Sequence, residues 1–329
     1  MPARFSRTAA LLASLVLTGV AAATGCGATG GGEDSGTFKL GVEAPLTGPD
    51  AESGQAILNA TKMAFAEVDN KIGDTQIELV PVDDKADPAA AVSAYTYAIN
   101  RDGVQAMFGN WNTDVTLGVM PLSERYQMPH FFYGALGQAV DDKVEKTKPK
   151  YFFGKQYPPP GEQQAAYVAA LDEALDNGLE LPNGKTVALF GEDTDFGRGV
   201  VQTLAKEFKD DGWQVKGKQF FAMDETEHNA MVNTFLRQDA SVIAGTGTAL
   251  QGIASLLKQT RSLGFEGLII CDGLSYTGDW HKATGAASDG VMDLNVLYAT
   301  EEAKKFEAAY KRSTARSRPR RSPRSAPTS

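Results

Sequence analysis

The chain has 329 residues, 42% of them apolar and 22% charged, an ordinary globular composition with length enough for two domains. The formal net charge is −9, although Arg4, Arg7 and the seven cations of residues 311–329 are all positive. Setting those nine cations aside leaves −18 for residues 26–310, which argues against nucleic acid or an anionic lipid surface as partner.

The first segment reads as a secretion signal over residues 1–25. Arg4 and Arg7 precede an apolar stretch over 11–20, too short to span a bilayer, and Ala21-Ala22-Ala23-Thr24-Gly25-Cys26 supplies small residues before a cysteine. That ending resembles the bacterial lipobox, which implies cleavage before Cys26, a lipid on its sulfur, and anchoring on the outer face of the cytoplasmic membrane. Residues 26–36, rich in Gly, read as a flexible tether. With Cys26 lipidated, Cys271 has no partner, so no disulfide is expected and Cys271 reads as a buried small hydrophobe.

Strand and helix signals then alternate. Over 37–157 the pattern predicts strands at 38–42, 76–82, 104–108 and 128–133. Between them fall helices at 53–70, with Ile57, Ala60, Ala64 and Val68 at helical spacing, at 88–102 between Asp87-Pro88 and Gly103, and at 113–126. Tyr157-Pro158-Pro159-Pro160-Gly161 breaks the pattern and is a hinge candidate. Over 158–297 it restarts, with strands at 186–190, 213–221, 241–244, 267–271 and 290–297. The helices there fall at 163–177, 197–210, 229–238 and 249–263, with a short one near Trp280. The fold class is α/β, as two Rossmann-like lobes with parallel sheets joined by a hinge. Residues 298–310 read as a helix returning toward the first lobe. The acid-free, low-complexity tail 311–329 starts abruptly inside that helix; it looks like the product of a frameshift, so the C-terminal part appears truncated and the tail is expected to be disordered.

Open α/β sheets bind ligands beyond the carboxyl ends of their strands. The loops there hold Trp111, Asn112 and Thr113, then Gly134 and Leu136, then Phe196, then Thr246, then Asp272. Trp111 and Phe196 either wall a ligand or pack onto their own lobes. Thr113 is placed as a helix N-cap, serving either as an anion site or as a cap alone. Asp114 would weaken that site and is expected to point outward. Asp272 could accept from a ligand ammonium or amide, or cap a following helix. His130, His228 and His281 lie far apart without metal spacing and read as surface or loop residues, and Asp83-Asp84 could form a metal pair but reads better as a solvated strand end. Gly245-Thr246-Gly247 with Gly252 misplaces the third glycine of a dinucleotide fingerprint, and no GxSxG occurs. Neither cofactor, metal nor catalysis is expected.

Four segments, KLGVEAPLTGPDAESGQAILNATKMAFAEVD, ELVPVDDKADPAAAVSAYTYAINRDGVQAMFG, VALFGEDTDFGRG and LLKQTRSLGFEGLIICDG, resemble in order the leucine/isoleucine/valine-binding proteins of ABC importers, which are type I periplasmic binding proteins. The resemblance spans residues 37–310. It implies that Thr113 stands at the family's carboxylate-binding hydroxyl, Phe196 at its cleft aromatic, Asp272 at its ammonium-binding acid and Gly134 at its carbonyl-donating turn. Ser53 stands where the family commonly has an aromatic, and Leu136 where it commonly has a Thr. The implied function is capture of one small amphiphilic solute, a branched-chain or other amino acid, by a monomer that then docks on a membrane permease. An amide, urea or aromatic acid is the alternative ligand, and a sensory receptor the alternative role.

Overall fold

The computed structural model describes residues 36–154, 161–274, 279–293 and 300–317. The signal, Cys26, nearly all of the tether, most of the 157–161 crossing and residues 318–329 lie outside these described residues.

The first lobe is a six-stranded sheet in the order β2-β3-β1-β4-β5-β6, in which β1 (Phe38–Ala44), β3 (Thr75–Asp83), β4 (Ala106–Gly109), β5 (His130–Phe132) and β6 (Phe152–Gly154) run parallel. The two-residue β2 (Lys71–Ile72) pairs antiparallel at one edge. Helices α1 (Ala51–Ala66), α2 (Pro88–Tyr97), α3 (Thr113–Tyr126) and α4 (Gln138–Thr147) connect the strands. Asp87 Oδ1 caps α2 by accepting from Ala90 N at 2.6 Å with Pro88 following, and a π turn at Ala98–Asp102 ends at the left-handed Gly103 (φ 73°). The short β2 and β6 carry too little periodicity to be read from sequence; α4 is omitted from the sequence reading although its Val140 and Val144 stand one helical turn apart and pack on the core.

The second lobe is a five-stranded parallel sheet in the order β11-β10-β9-β7-β8. Its strands are β7 (Thr186–Glu192), β8 (Gln214–Phe221), β9 (Val242–Thr246), β10 (Leu268–Asp272) and β11 (Val291–Met292). Helices α5 (Glu162–Asp176), α6 (Asp195–Asp210), α7 (Asn229–Arg237), α8 (Leu250–Ser262) and α9 (Trp280–Thr284) flank it. All of β7 is buried, with one core of Tyr167, Leu189, Leu204 and Phe208 on one face and another of Phe190, Phe235, Ile253 and Cys271 on the other. Being covered on both faces is what makes these strands read as apolar runs. Cys271 is a buried free thiol, as its sequence context indicated.

Three expectations need correction here. In α1 the buried residues are Ser53, Gly54, Leu58 and Thr61, while Val68 lies beyond the helix and is 51% exposed. The face is chosen by backbone approach: a Cβ on Gly54 would stand 2.0 Å from Pro45 O, so small residues must turn inward. His130 lies buried in β5, neither surface nor loop, and His228 sits in the loop before α7 but is buried there. His130 stacks on Tyr95 and packs at a tilt of 60° against Phe152, and burial lowers its pKa to about 3, whereas His228 Nε2 lies 3.1 Å from Gly252 O. Finally, α10 (Glu301–Ser317) continues through the first residues of the basic tail. Lys304–Glu301 and Lys311–Glu307 pairs support it, Tyr310 OH approaches Ala56 O at 3.5 Å on α1, and no Gly or Pro interrupts the helix before Pro319.

Candidate functional site

The carboxyl ends of the two sheets face a common cavity. Of the residues singled out from sequence, Trp111, Asn112, Thr113, Gly134 and Leu136 line it from the first lobe, and Phe196 and Asp272 from the second. The kink that presents Trp111 follows from Gly109 and Asn110, both at positive φ (140° and 75°); a Cβ on Gly109 would stand 2.0 Å from Glu43 O. Trp111 and Phe196 thus line the cavity, with Leu136 and Met223 adding apolar surface.

Ser53 and Thr246 do not line the cavity. Ser53 Oγ donates to Asp50 Oδ1 at 3.1 Å, and Thr246 Oγ1 donates to the backbone oxygen of Asp272 at 3.0 Å. Both are turned inward by an acceptor closer than the cavity. Thr113 is the first residue of α3 and not its cap. The preceding Asn112 has extended backbone, but its Nδ2 donates to Asp50 Oδ2 at 3.0 Å and not to the helix. Thr113 Oγ1 and Asn112 Oδ1 are buried without a hydrogen-bond partner.

Asp114 faces the cavity, contrary to the outward placement expected. Its Oδ1 accepts from Asp195 N at 2.8 Å, so a first-lobe carboxylate caps the first turn of α6 across the cleft. That donor at the start of α6 gives the carboxylate an inward partner that the sequence of α3 alone does not display. Burial, the largest cause, raises its pKa.

Asp272 ends β10 with 2% exposure. Its Oδ1 accepts from Gln163 Nε2 at 2.7 Å and Tyr167 OH at 3.3 Å, its Oδ2 from Gln164 Nε2 at 3.0 Å, and burial raises its pKa to about 7. Behind the lining stand further acids. Glu192 at the end of β7 accepts from Thr248 N (2.8 Å), Thr248 Oγ1 (2.7 Å) and Ala249 N (2.9 Å), and burial raises it to about 7. Asp50 is raised to about 6 by burial, against hydrogen bonds from Asn112, Ser53, Trp111 and Thr248. Asp84, read from sequence as solvated, is fully buried and raised to about 7 by burial. Among the described residues no His, Cys, Asp and Glu group has the arrangement of a metal site.

Sequence reasoning reached the loops that carry Thr194, Gly247, Thr248 and Gly273 without singling these residues out as ligand-binding, and it did not place Ala86, Gln163 or Met223 at the cleft. Gln163 could have been found, since it opens the helix after the Pro-rich crossing.

The sequence model described as "Periplasmic binding protein" matches residues 37–326, most of the chain. The chain belongs to the periplasmic binding protein family. It is 24% identical over 270 residues to Leu/Ile/Val-binding protein homolog 2 of Brucella abortus, covering 80% of this chain and 68% of that relative. Among solved structures, a leucine-binding protein of Thermotoga maritima shares 22% identity at TM-score 0.73, over 85% of this chain and 77% of that one. A Rhodopseudomonas palustris solute-binding protein in complex with benzoate shares 18% at TM-score 0.72, over 85% and 75%. The branched-chain amino acid binding protein LivJ of Streptococcus pneumoniae, in complex with isoleucine, shares 19% at TM-score 0.70, over 84% and 77%. The two-lobed fold is therefore that of ABC transporter solute-binding proteins, and the family places its members outside the cytoplasm.

Proposed function

We propose that this chain captures one small amphiphilic solute, an amino acid or a close analogue, between its lobes and delivers it to the membrane permease of an ABC importer. The observation that carries the reading is the cavity itself. It sits where strand ends of both lobes meet, with a buried acid, Asp272, on one side and aromatic and aliphatic side chains on the other. In this reading Asp272 accepts from the ligand's nitrogen, while Trp111, Phe196 and Leu136 take its apolar part. Thr113 Oγ1 donates to the ligand's remaining acceptor oxygen, and Gly134 lets the ligand approach the backbone. The protein acts as a monomer without catalysis, tethered at its amino terminus through lipidated Cys26.

A thermal-shift screen of amino acids, amides and aromatic acids tests the capture. A nitrogen-bearing amphiphile should raise the melting temperature, and Asp272→Asn should weaken the best ligand at least ~10-fold, the loss of one charge-assisted contact. Unchanged affinity in that variant would remove Asp272 from the role. Cys26→Ser should move the protein from the membrane to the soluble fraction; retention on the membrane would overturn the lipid anchor.

A further inference from the structure

Resting on the capture reading for its opening and closing lobes, we propose that Asp50 is a positioning residue of the cleft and one half of a clasp between the lobes. Asp50 of the first lobe and Glu192 of the second meet on the Thr248 hydroxyl, share one proton there, and close more readily while they hold it. Asp50 immediately precedes α1 and is 2% exposed. It accepts from Ser53 Oγ at 3.1 Å and from Asn112 Nδ2 at 3.0 Å, and takes a further hydrogen bond from the Trp111 side chain. One buried carboxyl thus holds two residues of the cavity wall, Trp111 and Asn112. The other side chain at Asp50 is Thr248, which belongs to the second lobe and stands just before α8.

The hydrogens there do not suffice for two carboxylates. A hydroxyl donates once and accepts twice. Thr248 Oγ1 gives its one hydrogen to Glu192 Oε2 at 2.7 Å, while Glu192 Oε1 takes Thr248 N (2.8 Å) and Ala249 N (2.9 Å). Asp50 therefore faces an oxygen whose hydrogen is spent, and the contact becomes a hydrogen bond when Asp50 carries a proton and donates it to Thr248 Oγ1. The charged groups acting on the pair are acids: Asp84, from the loop after β3, acts on Asp50, and Asp50 and Glu192 act on each other. The groups that reach the pair from the starts of α1, α3 and α8 belong to Ser53, Asn112, Trp111, Thr248 and Ala249, all uncharged. The Cys271 thiol of β10, which feels Glu192, is pushed up by burial and neutral. Burial, ahead of every other cause, raises Asp50 to about 6 and Glu192 to about 7. Parting the lobes withdraws Thr248 and Glu192 from Asp50 and admits water, which returns the pair toward the ordinary carboxylate range. The closed form then binds the proton more tightly, so closing is favoured in mild acid and the advantage is lost as pH rises through 6 to 7. Asp114 meets Asp193 and Asp195 at another point of the seam, so variants of the pair itself are what assign the response to the clasp.

The test needs no solute, so the clasp and the capture reading fail separately. Nitroxide labels at Gln55→Cys on α1 and Gln251→Cys on α8, both exposed positions, are placed in the full chain with Cys26→Ser. Double electron–electron resonance reads their separation at pH 6 and at pH 8. The ratio of closed, short-distance molecules to open ones should be about 3-fold or more higher at pH 6. Asp50→Asn and Glu192→Gln each put an amide hydrogen into the chain of bonds where the shared proton stood. Each variant should therefore hold the pH 8 ratio near the parent's pH 6 level and keep less than half of the parent's response. A structural role alone would leave the pH response in place. A parent ratio that is unchanged between the two pH values, or that rises with pH, overturns the clasp. Either variant keeping the parent's full response overturns it as well, and should one variant fail to fold, the other decides.

Discussion

Glu43 and Glu192 stand near the carboxyl ends of the first strands of their lobes, β1 and β7, and both are fully buried. Their surroundings differ. Glu192 meets two backbone N–H groups and a hydroxyl at the start of α8. Glu43 has both carboxylate oxygens outside hydrogen-bond geometry, with the Asn110 amide its nearest help and Asp84 adding repulsion, so its pKa is driven far upward, by burial first. The contrast extends outward. In the second lobe the buried Thr186 and Ser241 satisfy each other (Ser241 N to Thr186 Oγ1, 2.9 Å) and Asn183 N (2.9 Å to Ser241 Oγ). In the first, Tyr95, Asn110 and His130 bury polar atoms without partners, although the second lobe too has His228 Nδ1 and Gln238 Oε1 in that state. One repeat can therefore carry an acid as a helix cap in one lobe and as an uncompensated burden in the other. The difference lies in whether a helix start comes within reach.

The largest expected effect breaks the compensated side. Glu192→Ala strips three donors of their acceptor and should lower unfolding free energy by about 3 kcal/mol in urea titration. A loss below about 1 kcal/mol would mean that water replaces the carboxylate and the contrast is only geometric. Next, Glu43→Gln replaces a buried acid that folding must hold protonated while the unfolded chain ionises it, and should raise stability by about 1–2 kcal/mol at pH 8. A destabilised variant would show that Asn110 and Glu43 form a working pair.

The pH dependence sharpens the same point. Folded-state values near 6 for Asp50 and near 7 for Asp84, Glu192 and Asp272 lie above their unfolded values. The folded chain thus binds more protons between these limits, so stability is fullest in mild acid and falls as pH rises through 7. Each group contributes at most about 1.4 kcal/mol per pH unit within its window. Melting temperatures should decline from pH 5 to pH 8, and Glu43→Gln should flatten the slope; a rise over that range would contradict the burial assigned to these acids. The smallest effect belongs to the interlobe bond. Asp114→Ala should cost under about 1 kcal/mol, because its carboxylate is half-exposed and its one partner outside its own residue is the Asp195 N–H. A cost above 2 kcal/mol would make it the main clasp of the lobes.

Much of the fold was legible. The β-α alternation, the Asp87-Pro88 helix start and the stop at Gly103 are local signals, and each formed where the sequence put it. So were seven cavity residues, Trp111, Asn112, Thr113, Gly134, Leu136, Phe196 and Asp272, because parallel sheets place their carboxyl-end loops at one edge. Thr246, reached by the same reasoning, points away because that reasoning locates a loop but not the direction of a hydroxyl; Ser53, taken from the family resemblance, lies within α1 and bonds Asp50.

What the sequence determined by itself is the order of elements, the family and the loops that meet at the cleft, since these follow from periodicity and from segments near one another in the chain. Only the tertiary structure decided that Asp114 turns inward, that α1 buries Ser53 and Thr61 in place of Ile57 and Ala64, and that Asp50, Glu192 and Asp272 gather around one cavity. The reason is physical. Those outcomes depend on donors and backbone supplied by residues tens of positions away, and burial, which raises all three acids, exists only once both lobes are in place.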